Sequence, residues 1–276
     1  MKVFNNIYRI VNSALFGFKY LKNPLVIFEI PFKKEIQIEL KNGEKIKIKR
    51  HNFVHIIEIF QKGWSYEGNT FNKNYKIQVS DFLILLENFD KMYGSFELKD
   101  KNILDIGAYC GDTALYFIFD KKAKKVFLYE PIQQNFNFIK NNTIINKCEK
   151  KMISYNVGVS NNNEIVIINS DCPIGSTAFG LPGNKYSAKI KVESWDTILE
   201  RHKKDNIYLA KVDCEGGEKY LVDANKELIK KIPNWVMETH SSEIEKNMIQ
   251  LFESLGYKKE LRDKVNNEVK VWSFYL

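Results

Sequence analysis

Between residues 35 and 49 the sequence EIQIELKNGEKIKIK sets Ile36, Ile38 and Leu40 on alternate positions, breaks at Asn42-Gly43, and resumes with Ile46 and Ile48. A period of two puts alternate side chains on one face of a strand, and Asn-Gly tolerates the positive φ angles of a tight reversal, so a β-hairpin is predicted. Upstream, Phe4, Ile7, Val11, Leu15 and Phe18 recur at the spacing of one apolar helix face, which predicts a helix over residues 3–22. That face serves packing against the domain or a second copy of the chain in a homo-oligomer. Its basic Lys2, Arg9, Lys19 and Lys22 also allow peripheral membrane contact through residues 1–22.

From about residue 98 apolar runs alternate with helical segments, as parallel βαβ units require. Strands are expected near 102–106, 125–129, 152–158, 164–169, 206–213 and 234–240, and helices over 112–120, 132–142, 217–230 and 242–255. The tail YKKELRDKVNNEVKVWSFYL reads as two strands around Asn266-Asn267, which ends a parallel sheet with an antiparallel hairpin and makes it mixed. The expected division is an N-terminal helical and hairpin extension over residues 1–95 and an α/β domain over residues 96–276.

With 276 residues, 44% of them hydrophobic, the chain can bury a real core, which excludes disorder throughout. No stretch approaches the roughly 18 apolar residues of a membrane span. Arg9 interrupts the first apolar stretch and no small-residue cleavage site follows, so the start does not read as a signal peptide and a cytoplasmic location is expected. Cys110, Cys148, Cys172 and Cys214 are too dispersed for a zinc finger or a disulfide framework. The net charge of +8 invites a nucleic-acid partner. Nearly all of it is lysine, however, and only Arg9, Arg50, Arg201 and Arg262 carry the guanidinium fork suited to phosphate or guanine, which argues against that partner. His51 and His55 could share a helix face, yet without a third nearby ligand they read as structural.

Ligands of open α/β sheets bind beyond the carboxyl ends of the strands. The first such end is LDIGAYCGDTALYF, where Gly107 and Gly111 permit close backbone approach and Asp112-Thr113 are available to cap a helix. It has neither the GxGxxG pattern nor a Walker lysine, so a dinucleotide or triphosphate is poorly supported. The second, VFLYEP, ends on Glu130, placed as an acid that accepts hydrogen bonds from ribose hydroxyls. The two ends together describe a nucleoside site without a phosphate cradle. S-adenosylmethionine fits, because it carries adenosine, no phosphate, and positive charge that tolerates carboxylates such as Asp105.

The third end, VDCEGGE, puts Asp213 and Glu215 on one strand face before the Gly216-Gly217 turn, with Glu218 explained as an acid at a helix N-terminus. The fourth, METH, carries Glu238 and His240, and His240 is the best general acid/base candidate in the chain. Asp213, Glu238 and His240 could instead hold a divalent metal that acidifies an alcohol. Metal-free base catalysis is preferred, and no residue is assigned as a metal ligand. Residues 171–189, rich in Gly, Pro and Ser, read as a functional or mobile loop.

The motifs LDIGAYCGDTALYF, LYEP, GSTAF, VESWDTIL, AKVDCEGGEKYLV and METH, in this order, resemble the FkbM-type family of S-adenosylmethionine-dependent methyltransferases. With the upstream hairpin and IIEIFQKGWSY, the resemblance spans about residues 35–260. It implies a class I methyltransferase (Rossmann-like) fold with a mixed seven-stranded sheet flanked by helices. It also implies O-methylation, commonly of a sugar hydroxyl in a glycan or glycosylated metabolite. Asp105, Gly107, Ala108, Gly111, Asp112, Thr113, Glu130 and Pro131 would then bind the cofactor. Glu215, Ser176 and Thr177 would face the acceptor, with His240, Asp213 and Glu238 as the catalytic groups and His240 or a nearby carboxylate taking the hydroxyl proton. An RNA or protein methyltransferase is the first rival, although no Asn/Asp-Pro-Pro-aromatic motif follows the fourth strand. A non-catalytic adenosine-ligand binding module of the same fold is the second.

Overall fold

The hairpin forms where the alternation places it. In the computed structural model, which describes residues 15–79, 81–170 and 186–276, strand β1 (Glu35–Glu39) pairs antiparallel with β2 (Lys45–Lys49). Ile36 stands opposite Ile48 and Ile38 opposite Ile46, all four buried, while the intervening Gln37 and Lys47 face outward. The reversal is longer than a two-residue turn. Leu40 N–H donates to Glu44 O at 2.8 Å, and only Gly43 takes a positive φ, +88°. One left-handed glycine in a three-residue loop is the next most common hairpin connection.

Two units divide the chain between Glu87 and Asn88. In the first, helix α1 (Phe53–Gln61) buries Phe53, Ile56, Ile57, Ile59 and Phe60 and carries His55, followed by the short antiparallel strands β3 (Ser65–Glu67), β4 (Thr70–Asn72) and β5 (Lys76–Ile77). Of the helix expected over residues 3–22, residues 15–20 are described and are helical. Its inward face differs from the expected one: Leu15 and Phe18 are exposed, whereas Phe16 is buried edge-on against the rings of Phe53 and Phe60. The rings of α1, which the spacing of residues 3–22 could not register, select which side turns in.

The second unit holds α2 (Phe89–Tyr93), β6 (Asn102–Ile106), α3 (Asp112–Phe119), β7 (Lys125–Tyr129), α4 (Gln133–Ile145), β8 (Met152–Tyr155) and β9 (Gly158–Ser160). It continues with β10 (Glu164–Ser170), β11 (Tyr186–Ser194), α5 (Trp195–Arg201), β12 (Ile207–Val212) and α6 (Lys226–Ile229). β13 (Asn234–Thr239), α7 (Ser242–Ser254), β14 (Lys258–Lys264) and β15 (Lys270–Tyr275) complete it. The seven-stranded sheet runs β14-β15-β13-β12-β6-β7-β8. Its five strands from β13 to β8 are parallel; β15 runs antiparallel to β13 and β14. This is the mixed α/β sheet the sequence pattern predicts. Parallel strands covered on both faces need nearly continuous apolar runs. Accordingly Ile103, Leu104, Val126, Leu128, Leu209 and Ala210 are fully enclosed.

Several elements depart from expectation: the strand expected over 152–158 divides into β8 and β9, β11 takes the last residues of the loop expected over 171–189, whose residues 171–185 lie outside the described ones, and α5 is additional. The strand near 164–169 leaves the main sheet for a separate one of order β10-β11-β9. Its alternation leaves Ile165 and Ile167 exposed while Ile168 packs with Ile190 and Val192, and a strand with one covered face suits an outlying sheet. The helix expected over 217–230 is a 3-10 turn, Gly217–Asp223, followed by the short α6. Asn225 interrupts it, its side-chain oxygen accepting Glu227 N–H at 2.9 Å as an N-cap.

Candidate functional site

The carboxyl ends of β6, β7, β12 and β13 lie side by side in the sheet, so the four motif ends share one edge. The amides of Gly107 and Ala108 both donate to Tyr129 O, at 2.9 and 3.0 Å, which ties the glycine loop to the end of β7. Gly107 has φ +79°, and a Cβ there would stand 1.7 Å from Asp213 O, so the loop packs backbone against backbone on the end of β12. Gly111, φ +82°, is the left-handed N-cap of α3. The capping role expected of Asp112 and Thr113 is therefore not theirs. Both are buried within the first turn, and burial with the nearby Asp105 charge pushes Asp112 up to about 6 against the pull of Lys211.

Glu130 is 5% exposed, and its two oxygens accept Tyr109 N–H at 3.0 Å and Ile132 N–H at 2.8 Å. Burial raises its carboxyl to about 7 although those amides favour the ionised form. Pro131, the next residue, is half-buried. Asp105, expected to bind the cofactor, is wholly buried and reaches the site through another residue. Its register partner on β12 is Lys211, whose Nζ lies 3.1 Å from Asp105 Oδ1 and donates to Gly107 O at 2.6 Å. Burial alone would lower the Lys211 pKa, but Asp105 and Asp213 outweigh it and keep the ammonium charged. The strand-end motifs do not mark Lys211. Its signal was a lone lysine inside the apolar run IYLAKV, two positions before Asp213.

At the other two ends His240 is the hub. Its Nδ1 is 2.8 Å from Glu218 Oε1, and the fully buried Glu218 also accepts the amides of His240 at 3.2 Å and Gly216 at 2.9 Å. Glu218 thus holds the imidazole, a role beyond the helix-end explanation. The other ring nitrogen, Nε2, faces Asp213 at 3.6 Å, Glu215 at 3.4 Å and Glu238 at 3.5 Å. Burial would lower the His240 pKa, but the Glu218 hydrogen bond and the neighbouring Glu238 and Asp213 carboxylates carry it up to about 11. The acids around the ring thus favour its protonated form. Beside His240, the expected base, the carboxylates of Asp213, Glu215 and Glu238 are also placed to accept a proton. Asp213, Glu238 and His240 each offer a ligand atom within 4.8 Å of the others, a grouping a divalent cation could use. Ser176 and Thr177 lie outside the described residues. Among the described residues no helix is long and apolar enough to cross a membrane.

Comparison with known proteins bears on the family and the fold. A family profile described as a methyltransferase FkbM domain matches residues 105–259. A solved FkbM methyltransferase from Methylobacillus flagellatus aligns at 19% identity with a TM-score of 0.52, covering 68% of this chain and 48% of its own. The present chain thus spans about half the length of that protein. A tRNA (m1A22) methyltransferase of Streptococcus pneumoniae, titled putative and solved with S-adenosyl-L-methionine, aligns at 8% identity and a TM-score of 0.43, over 66% of this chain and 68% of its own. The METTL16 methyltransferase domain aligns at 10% identity and a TM-score of 0.48, over 87% and 86%. No curated protein matches the sequence.

Proposed function

Since the chain belongs to the FkbM methyltransferase family, we propose that it is an S-adenosylmethionine-dependent O-methyltransferase acting on a sugar hydroxyl of a glycan or glycosylated metabolite. The observation that carries the cofactor is the closure of the glycine loop on Glu130 through Tyr109 N–H and on Tyr129 O through Gly107 and Ala108. A carboxylate has about four lone-pair positions; the Tyr109 and Ile132 amides and Asn135 Nδ2, at 3.4 Å, take three and leave one for a ribose hydroxyl. The only lysine in this corner among the described site residues, Lys211, is turned inward onto Asp105 and Gly107 O, so the corner presents acids and carbonyls rather than a phosphate cradle. That donor set suits a cationic nucleoside. Bound there, S-adenosylmethionine would supply an electrophilic methyl group.

The chain's own residues supply the rest. Gly107, Gly111 and Glu130 hold the nucleoside, while Lys211 fixes the loop from behind. Asp213, Glu215 and Glu238 stand across the edge as proton acceptors for a hydroxyl, whose own pKa is far above neutral. The acid-rich VDCEGG end, in place of an Asn/Asp-Pro-Pro-aromatic motif, favours oxygen over a base amino group as acceptor.

Calorimetry with S-adenosylhomocysteine tests the cofactor reading. Binding is expected, weakened at least tenfold by Glu130→Gln, since each hydrogen bond to a charged group is worth about 1.5–3 kcal/mol. Undetectable binding to the intact protein overturns it. The acceptor class is tested by the loss of methyl groups from cellular glycans, read by mass spectrometry, when the gene is deleted.

A further inference from the structure

The face of His240 turned away from Glu218 poses a geometric problem. Its Nε2 stands 3.4–3.6 Å from three carboxylates at once, each beyond ordinary hydrogen-bond length. A single N–H can point at only one of them. The spacing suits a shared ligand sphere better: at metal–ligand distances of about 2.1 Å, neighbouring ligands stand about 3.0 Å apart in an octahedron and about 3.4 Å in a tetrahedron.

A second observation comes from outside that set. Metal-bound histidines regularly donate their other ring N–H to a carboxylate, which fixes the ring and directs the free nitrogen outward. Glu218, with no exposure to solvent, does this at Nδ1 at 2.8 Å and is itself anchored by the amides of Gly216 and His240. The imidazole is therefore locked with Nε2 toward the acids. Charge points the same way. Asp213, Glu215, Glu218 and Glu238 converge on one histidine, and Lys211, 3.9 Å from Asp213, is closer to Asp105 at 3.1 Å.

We propose that Asp213, Glu238 and His240 Nε2 form a binding site for one hard divalent cation of the magnesium and manganese class, with Glu218 as the orienting carboxylate. Two carboxylates and one imidazole leave coordination positions open, and oxygen-rich sets of this kind prefer magnesium or manganese to softer ions. The role follows from the proposed acceptor site, on which it rests. A cation there draws in the acceptor oxygen and lowers the hydroxyl's pKa, leaving Glu215, beside it on the same turn, to take the proton.

The test uses the full chain and manganese(II) alone, with free ion followed by electron paramagnetic resonance and S-adenosylhomocysteine binding measured in parallel. One manganese per chain is expected, displaced by excess magnesium. Asp213→Asn and Glu238→Gln should each weaken it at least tenfold while Glu218→Gln has a smaller effect, and thermal unfolding that still shows a cooperative transition confirms a folded variant. An intact protein that binds S-adenosylhomocysteine but no manganese overturns the cation site, as does manganese binding that Asp213→Asn and Glu238→Gln both leave unchanged. Manganese binding without S-adenosylhomocysteine binding instead overturns the methyl-donor reading and leaves the cation site standing.

Discussion

Replacing Lys211 with methionine isolates the buried charge pair beneath the glycine loop. Methionine keeps most of the stem's volume but removes the ammonium that faces Asp105 at 3.1 Å and donates to Gly107 O at 2.6 Å. Asp105 is 0% exposed and Lys211 5%, so water cannot take over either contact. Stranding one member of a buried ion pair costs about 3–5 kcal/mol. For a unit of this size that corresponds to a fall of roughly 6–20 °C in Tm, at about 2–4 °C per kcal/mol. Urea unfolding followed by the fluorescence of Trp195 and Trp235, both fully buried in this unit, measures it. Adding Asp105→Asn removes the stranded carboxylate, and the double variant should recover at least about 2 kcal/mol of the summed single costs. The reasoning fails if Lys211→Met stays within about 1 kcal/mol of the parent, or if the two costs simply add.

Gly107→Ala should be severe for a different reason. Its φ of +79° and a Cβ 1.7 Å from Asp213 O force the glycine loop and the end of β12 apart, so S-adenosylhomocysteine binding and Tm should fall together, and unchanged values of both refute the contact. Glu130 gives a pH signature. Its carboxyl is raised from 4.5 to about 7 by burial, so its contribution to stability is complete below 4.5 and is lost as pH rises through about 7. At about 1.36 kcal/mol per unit this window amounts to about 3 kcal/mol, and Glu130→Gln should flatten the fall in unfolding free energy between pH 5 and 8. Parallel pH profiles for the parent and Glu130→Gln would count against it.

The strand ends and the mixed sheet were legible because they depend on local pattern. Apolar runs mark covered strands, and glycine after an acid marks where the chain leaves the sheet. The proximity of Asp213, Glu215, Glu238 and His240 was also legible, since parallel strands bring their carboxyl ends to one edge. Their protonation was not. The charge on His240 depends on Glu218, which is 22 positions away and looked like a helix-end acid. Lys211 was hidden for the same reason, its partner Asp105 being 106 positions upstream and opposite it only through strand register. Strand β11 escaped pattern reading because its outlying sheet is held by only a few apolar contacts, whereas the short α5 packs Trp195, Ile198 and Leu199 into the main core. Side-chain partners set by register, rather than by spacing within one segment, are where pattern reading stops.

The backbone contact between Gly107 and Asp213 O also bears on how this scaffold could be redesigned. The loop assigned to the methyl donor and the turn assigned to the acceptor meet without an intervening side chain. No rotamer can absorb a change on either side. Exchanging residues 213–218 to admit a new acceptor would therefore shift the donor pocket as well, and a successful graft would have to carry residues 105–111 with it as one block.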